Sequence, residues 1–143
     1  MQTNFPGTLK QPNEYDFYTS YLGNPRLKNE YKDKIKVIIT RQAPGKMSPA
    51  FRARYEPALA PEWQTISNFK VTGNVGWMSQ AYQCKLDALR RVRENTLQGL
   101  EKFIKANPGI IVFVCYCKDH NKCHRKVLAE DIQKHTKMTW SEL

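Results

Sequence analysis

Three consecutive runs decide the fold: Ile110-Ile-Val-Phe-Val-Cys-Tyr-Cys117, then Lys118-Asp-His-Asn-Lys122, then Cys123-His-Arg-Lys-Val-Leu-Ala-Glu-Asp-Ile132. The first is apolar, β-branched and aromatic, and too short to cross a membrane. It reads as a strand buried on both faces. The polar run is a loop. In the third, Val127, Leu128 and Ile132 fall at the spacing of a short amphipathic helix, with Asn121 available as its N-cap. Strand, loop and helix in this order form the unit that places ligands at the carboxyl end of a parallel sheet. Here that end carries Cys115, Cys117, His120, Cys123, His124 and Arg125.

Upstream, Tyr15-Asp-Phe-Tyr-Thr-Ser-Tyr-Leu22 alternates large and small residues and reads as a first strand, stopped by Gly23-Asn-Pro25. Arg26 follows at once. Lys36-Val-Ile-Ile-Thr-Arg41 reads as a second buried strand, with Arg41 at its carboxyl end. Residues 46–75 combine prolines with Phe51, Tyr55, Trp63 and Phe69. They read as a long connection packed down by its aromatics, of the kind that often covers a site, with one short helix near Ala50–Tyr55. From Ser79 onward, Tyr82, Leu86, Leu89, Leu97, Leu100 and Ile104 keep one helical face apolar, and the polar stretch Arg90–Asn95 predicts a break between two helices. The expectation is a single compact α/β domain over residues 15–135, a small, mainly parallel sheet flanked by helices. An extended arm over 1–14 and a tail over 136–143 complete the chain, and one or two further short strands remain to be placed.

A chain of 143 residues can bury a core without disulfides. Neither a membrane-spanning run nor a signal-like N-terminus is present, so the expected setting is soluble and cytoplasmic, with no membrane partner. Three of the four cysteines crowd into nine residues, which suits a local site better than a covalent framework. The net charge of +10 and pI near 9.6 favour a polyanion such as nucleic acid or a nucleotide. The positive excess is spread along the chain, and solubility alone would also account for it.

Four readings of the cysteine-rich corner compete. In the first, the start of the helix, His124 and Arg125 form an anion site, joined by Arg26 and Arg41 if strand ends converge on one rim. Asn24 and Tyr18 would stand near that rim, and Tyr18 would be the best candidate in its aromatic cluster to stack on a base, although a core role suits the cluster better. In the second, Cys123 or Cys115 is a thiolate nucleophile beside His124. The spacing Cys-x5-Arg of anion-wrapping phosphatase loops is absent, since Cys117-x5 ends on Cys123. In the third, Cys115, Cys117, Cys123 and His124 are zinc ligands by type, in a spacing that matches no standard zinc pattern. In the fourth, Cys115 and Cys117 are small core residues, as is Cys84 on the helical stretch. No cofactor is expected, and no residue is assigned to a metal.

The chain resembles the domain-of-unknown-function family 488 (DUF488), in its phage and bacterial branch. The resemblance rests on Tyr18-Thr-Ser-Tyr-Leu-Gly-Asn-Pro-Arg26, Ile38-Ile-Thr-Arg41 with Pro44, Tyr55 with Leu59-Ala-Pro-Glu-Trp63, and Val114-Cys-Tyr-Cys117 followed by Cys123-His-Arg-Lys-Val-Leu-Ala-Glu130. It implies a compact α/β fold with these motifs gathered at one end of the sheet, and Arg26, Arg41, Cys115, Cys123, His124 and Arg125 as the candidate site. Relatives often carry an acidic residue at the position of Cys117, which argues against a Cys115–Cys117 disulfide or an obligatory zinc site. No reaction follows from the family. The leading expectation is binding, and then hydrolysis or group transfer, of a phosphate-bearing ligand. A thiol- or zinc-dependent enzyme on a small substrate and a non-catalytic protein that binds a host factor are the alternatives.

Overall fold

A computed structural model describes residues 14–143, so the expected arm over 1–14 lies, but for its last residue, outside the described residues. Five strands form one sheet: β1 (Phe17–Tyr21), β2 (Ile35–Ile38), β3 (Ala53–Tyr55), β4 (Ile111–Cys115) and β5 (Trp140–Glu142). Their order is β3-β2-β4-β1-β5, and every pairing is parallel. The helices are α1 (Trp63–Thr72), α2 (Val75–Arg90), α3 (Thr96–Ala106) and α4 (His124–Thr136).

β4 is central because its sequence tolerates burial on both sides. Ile111, Phe113 and Cys115 turn toward α2, α3 and α4, where Tyr82, Leu86, Leu97, Ile104, Leu128 and Ile132 meet them. Val112 and Val114 turn the other way, against Tyr18, Leu27 and Ile38, with Phe51 and Tyr55 at the margin. Each fully buried aliphatic side chain of this kind contributes about 1.5–3 kcal/mol. The break expected at Arg90–Asn95 is present: α2 stops at Arg90, and Asn95 caps α3 by accepting the Gln98 N–H at 2.8 Å. Gly73 ends α1 with φ 64°, a left-handed conformation that favours glycine.

Local readings differ in five places. Residues 49–55 form no α-helix but a 3-10 turn (Pro49–Phe51) and the strand β3, because one side of this segment pairs with β2, with Lys36 N–H donating to Arg52 O and Glu56 N–H to Ile38 O, partners that a helix of three residues would lack. Trp63–Thr72, read as connection, is a helix whose apolar residues are too few to show a clear stripe. Asn121 does not cap α4. It lies in a 3-10 turn capped by Asp119, and Cys123 holds the N-cap position of α4 without a side-chain bond. The residues beyond Thr136 are no free tail, since Trp140–Glu142 pairs with Phe17–Thr19 at the edge of the sheet. Cys84, expected in the core, is exposed, as is Cys117.

Candidate functional site

Because all strands run the same way, their carboxyl ends share one edge, and the segments that leave β2 and β4 there face each other. Between them and α1 lies a cavity of about 370 Å³. Thr40, Arg41 and Gln42 line it from beyond β2, Cys115, Tyr116 and Cys117 from the end of β4, and Lys122, Cys123 and His124 from the entry to α4. Trp63, Ile66, Phe69 and Lys70 of α1, with Pro61 and Met78, form the remaining wall. Trp63 and Tyr116 are large aromatic residues left exposed, at 57% and 49%.

The polar centre of this cavity is Cys115, Cys123 and His124. The two sulfur atoms stand at disulfide-bonding distance, and the three potential ligand atoms all lie within 4.8 Å of one another. The backbones stand apart, with Cα atoms separated by 7.7 Å. A relaxed disulfide spans about 4.4–6.8 Å between Cα atoms. His124 directs Nε2 at the carbonyl of Ile39, so that nitrogen carries the proton and donates. Nδ1 is left with its lone pair, 3.7 Å from Cys123 Sγ. Burial drives the imidazole pKa down to about 4, aided by Arg125 and Lys85 and opposed by the bond to Ile39. His124 is therefore a neutral acceptor at physiological pH. Tyr82, edge-on to the ring at 5.1 Å, fixes its plane.

Arg125 is fully buried. Its Nε and Nη2 donate to the two carboxylate oxygens of Glu142 at 3.1 and 2.9 Å. Nη1 donates to Cys115 Sγ at 2.9 Å and to the carbonyl of Cys117, and Nη2 also donates to the carbonyl of Lys118. Every arm of the guanidinium is occupied by the protein. Arg125 thus ties β5 to the loop after β4 and orients one thiol, which differs from the anion-binding role expected for it.

The three arginines do not converge. Arg41 lines the cavity, held by the carbonyls of Ala60 and Pro61. Arg26 packs over the Tyr31 ring at 4.8 Å and pairs with Glu30. Its neighbour Leu27 and the Tyr31 ring both pack near Tyr18, on the sheet face opposite α2 and α4. Tyr18 is buried in that same layer rather than standing at the rim. Asn24 caps the 3-10 turn Pro25–Lys28 and donates to Ser20 Oγ at 3.0 Å, a turn-building role. The expected rim therefore keeps Arg41, Cys115, Cys123 and His124 and loses Arg26, Arg125, Tyr18 and Asn24. Lys70, Lys122 and Tyr116 join it unannounced, since isolated surface lysines carry no signal in a basic chain. Phe69 had stood out as a packing aromatic, and Trp63 equally as packing or as the anchor of a lid.

A wholly parallel sheet with a cysteine–histidine cluster at its carboxyl edge defines the class: a small α/β domain with a built cavity at that edge. The chain belongs to the DUF488 family, matching the group described as DUF488-N3a, the active DUF488-N3 subclade, over residues 18–136. No curated protein and no solved structure matches it. Among the described residues no helix is long and apolar enough to cross a membrane.

Proposed function

We propose that the cavity binds and processes a phosphate-bearing ligand, a nucleotide or a segment of nucleic acid, by hydrolysis or group transfer. The observation that carries this reading is the combination on one set of walls: exposed Trp63 and Tyr116, cationic Arg41, Lys70 and Lys122, and the Cys115–Cys123–His124 cluster. An aromatic slot of this kind accepts the face of a base, and base–aromatic stacking is worth about 1–3 kcal/mol per base. Cations around it accept phosphate oxygens. Cys123 and His124 lie at the inner wall, where they position or activate the group that reacts.

Arg41 is the cation best held for this task, since the carbonyls of Pro61 and Ala60 accept from its Nε and Nη2, with Glu62 4.0 Å from Nη2 offsetting part of its charge. Lys70 and Lys122 are exposed and adjustable. The net charge of +10 adds long-range attraction for any polyanion.

The test is a titration with mononucleotides, single-stranded DNA and RNA across a salt series. Binding through three cations gives a slope of log K against log salt of roughly −2 for a single strand. Arg41→Ala is expected to flatten that slope. Absence of binding to every one of these ligands at the lowest salt overturns the reading.

A further inference from the structure

We propose that Cys115, Cys123 and His124 form a zinc site of Cys2His type whose fourth position opens into the cavity. This goes beyond the ligand reading above and does not rest on it.

Geometry comes first. The three side chains come from two elements, the end of β4 and the start of α4, and their ligand atoms share a sphere 4.8 Å across. With Zn–S bonds of about 2.3 Å in a tetrahedron, ligating sulfurs sit roughly 3.8 Å apart. Cα atoms 7.7 Å apart suit two sulfurs that reach toward a shared ion better than two sulfurs bonded to each other.

The surroundings of the ligands point the same way. A zinc-bound histidine characteristically donates its other N–H to a carbonyl or carboxylate, which fixes ring and tautomer. His124 does this to Ile39, so its free Nδ1 faces Cys123. Cys115 accepts a hydrogen bond from Arg125, an outer partner that orients the thiolate. Arg125 is itself neutralised by Glu142. A divalent ion held by two deprotonated cysteines and a neutral imidazole sums to zero charge, which suits a buried site.

The remaining donor decides the type of site. Cys117 lines the cavity but stands outside the cluster, and no fourth His, Cys, Asp or Glu joins the three among the described residues. A closed structural site needs four protein ligands, whereas three protein ligands and an open position mark a site that holds water or substrate. All three ligands line the same cavity as Trp63 and Arg41. Zinc there acts as a Lewis acid on whatever oxygen the cavity presents.

The experiment uses ligand-free, full-length protein purified under reducing conditions. Elemental analysis is expected to return about one zinc per chain, and replacement by Co(II) should give the absorption of a tetrahedral ion with sulfur-to-cobalt charge transfer. Cys123→Ser and His124→Gln should each lower zinc affinity by at least about tenfold, while Cys84→Ser and Cys117→Ser retain it. The wild-type stoichiometry and cobalt spectrum stand even where a substituted chain folds poorly. Metal-free protein with only two titratable thiols identifies a Cys115–Cys123 disulfide and overturns the assignment. So does metal-free protein with four, iron or copper in place of zinc, or zinc lost with Cys117→Ser. Because no nucleotide or nucleic acid enters these measurements, their failure leaves the ligand titration to be judged separately.

Discussion

Substituting Glu142 by Ala removes the one carboxylate that, among the described residues, pairs with the fully buried Arg125, and also the acceptor of the Thr19 hydroxyl at 2.6 Å. Breaking a buried ion pair from one side costs about 3–5 kcal/mol, because the abandoned charge stays buried. Two features pull the figure to the lower end. Glu142 retains 20% exposure, so solvent screens part of the attraction, and Arg125 keeps the carbonyls of Cys117 and Lys118. The expected loss is about 3 kcal/mol. With a urea slope of about 2 kcal/mol/M, the unfolding midpoint falls by roughly 1.5 M. Glu142→Gln, which keeps an accepting oxygen in place, should lose less. The guanidinium, no longer tethered to β5, lets the loop after β4 shift together with it, so affinity at the cavity falls in Glu142→Ala although residue 142 does not line it. A loss below about 1 kcal/mol, with cavity binding intact, would refute the claim that the C-terminal strand anchors the site through Arg125.

Three further outcomes follow from individual side chains. Trp63→Ala should weaken nucleotide or oligonucleotide binding by about tenfold or more while shifting stability by less than about 0.5 kcal/mol, since the ring is exposed; calorimetric titration with parallel urea melts separates the two effects. Asn95→Ala should cost about 1 kcal/mol through loss of the α3 cap and of its bond to the Val92 carbonyl, read as a lower urea midpoint with an unchanged slope. Lys36 is fully buried, and burial, with Arg52 nearby, holds its pKa below the ordinary lysine value. Below that depressed pKa the penalty for burying its charge is present in full; between it and about 10.4 the unfolded chain binds more protons, so stability rises with pH. The stability of Lys36→Met relative to the wild type should therefore fall as pH climbs through that alkaline window, and a difference that stays flat would contradict it.

The sequence alone determined β4 and what surrounds it. Ile111–Cys115 is apolar at every position, and burial on both faces requires layers on both sides, so a parallel sheet with helices was legible before any coordinate. The α2–α3 break was equally legible, because Arg90–Asn95 interrupts an apolar stripe and ends in a capping residue. Cys115, Cys123 and His124 were legible as a group because the strand–loop–helix unit brings them together over a few residues. Only the tertiary structure decided what lies farther off in the chain. Whether Arg26 or Arg41 reaches the cavity depends on which side of the sheet each connection crosses, and strand periodicity carries no sign for that choice. Arg125 looked like a ligand-binding residue because its partner Glu142 is 17 residues away, on an edge strand of three residues too short to announce itself. The physical reason is general to this chain: local pattern reports how each segment hides its apolar atoms, while the pairing of charges is settled only when segments meet.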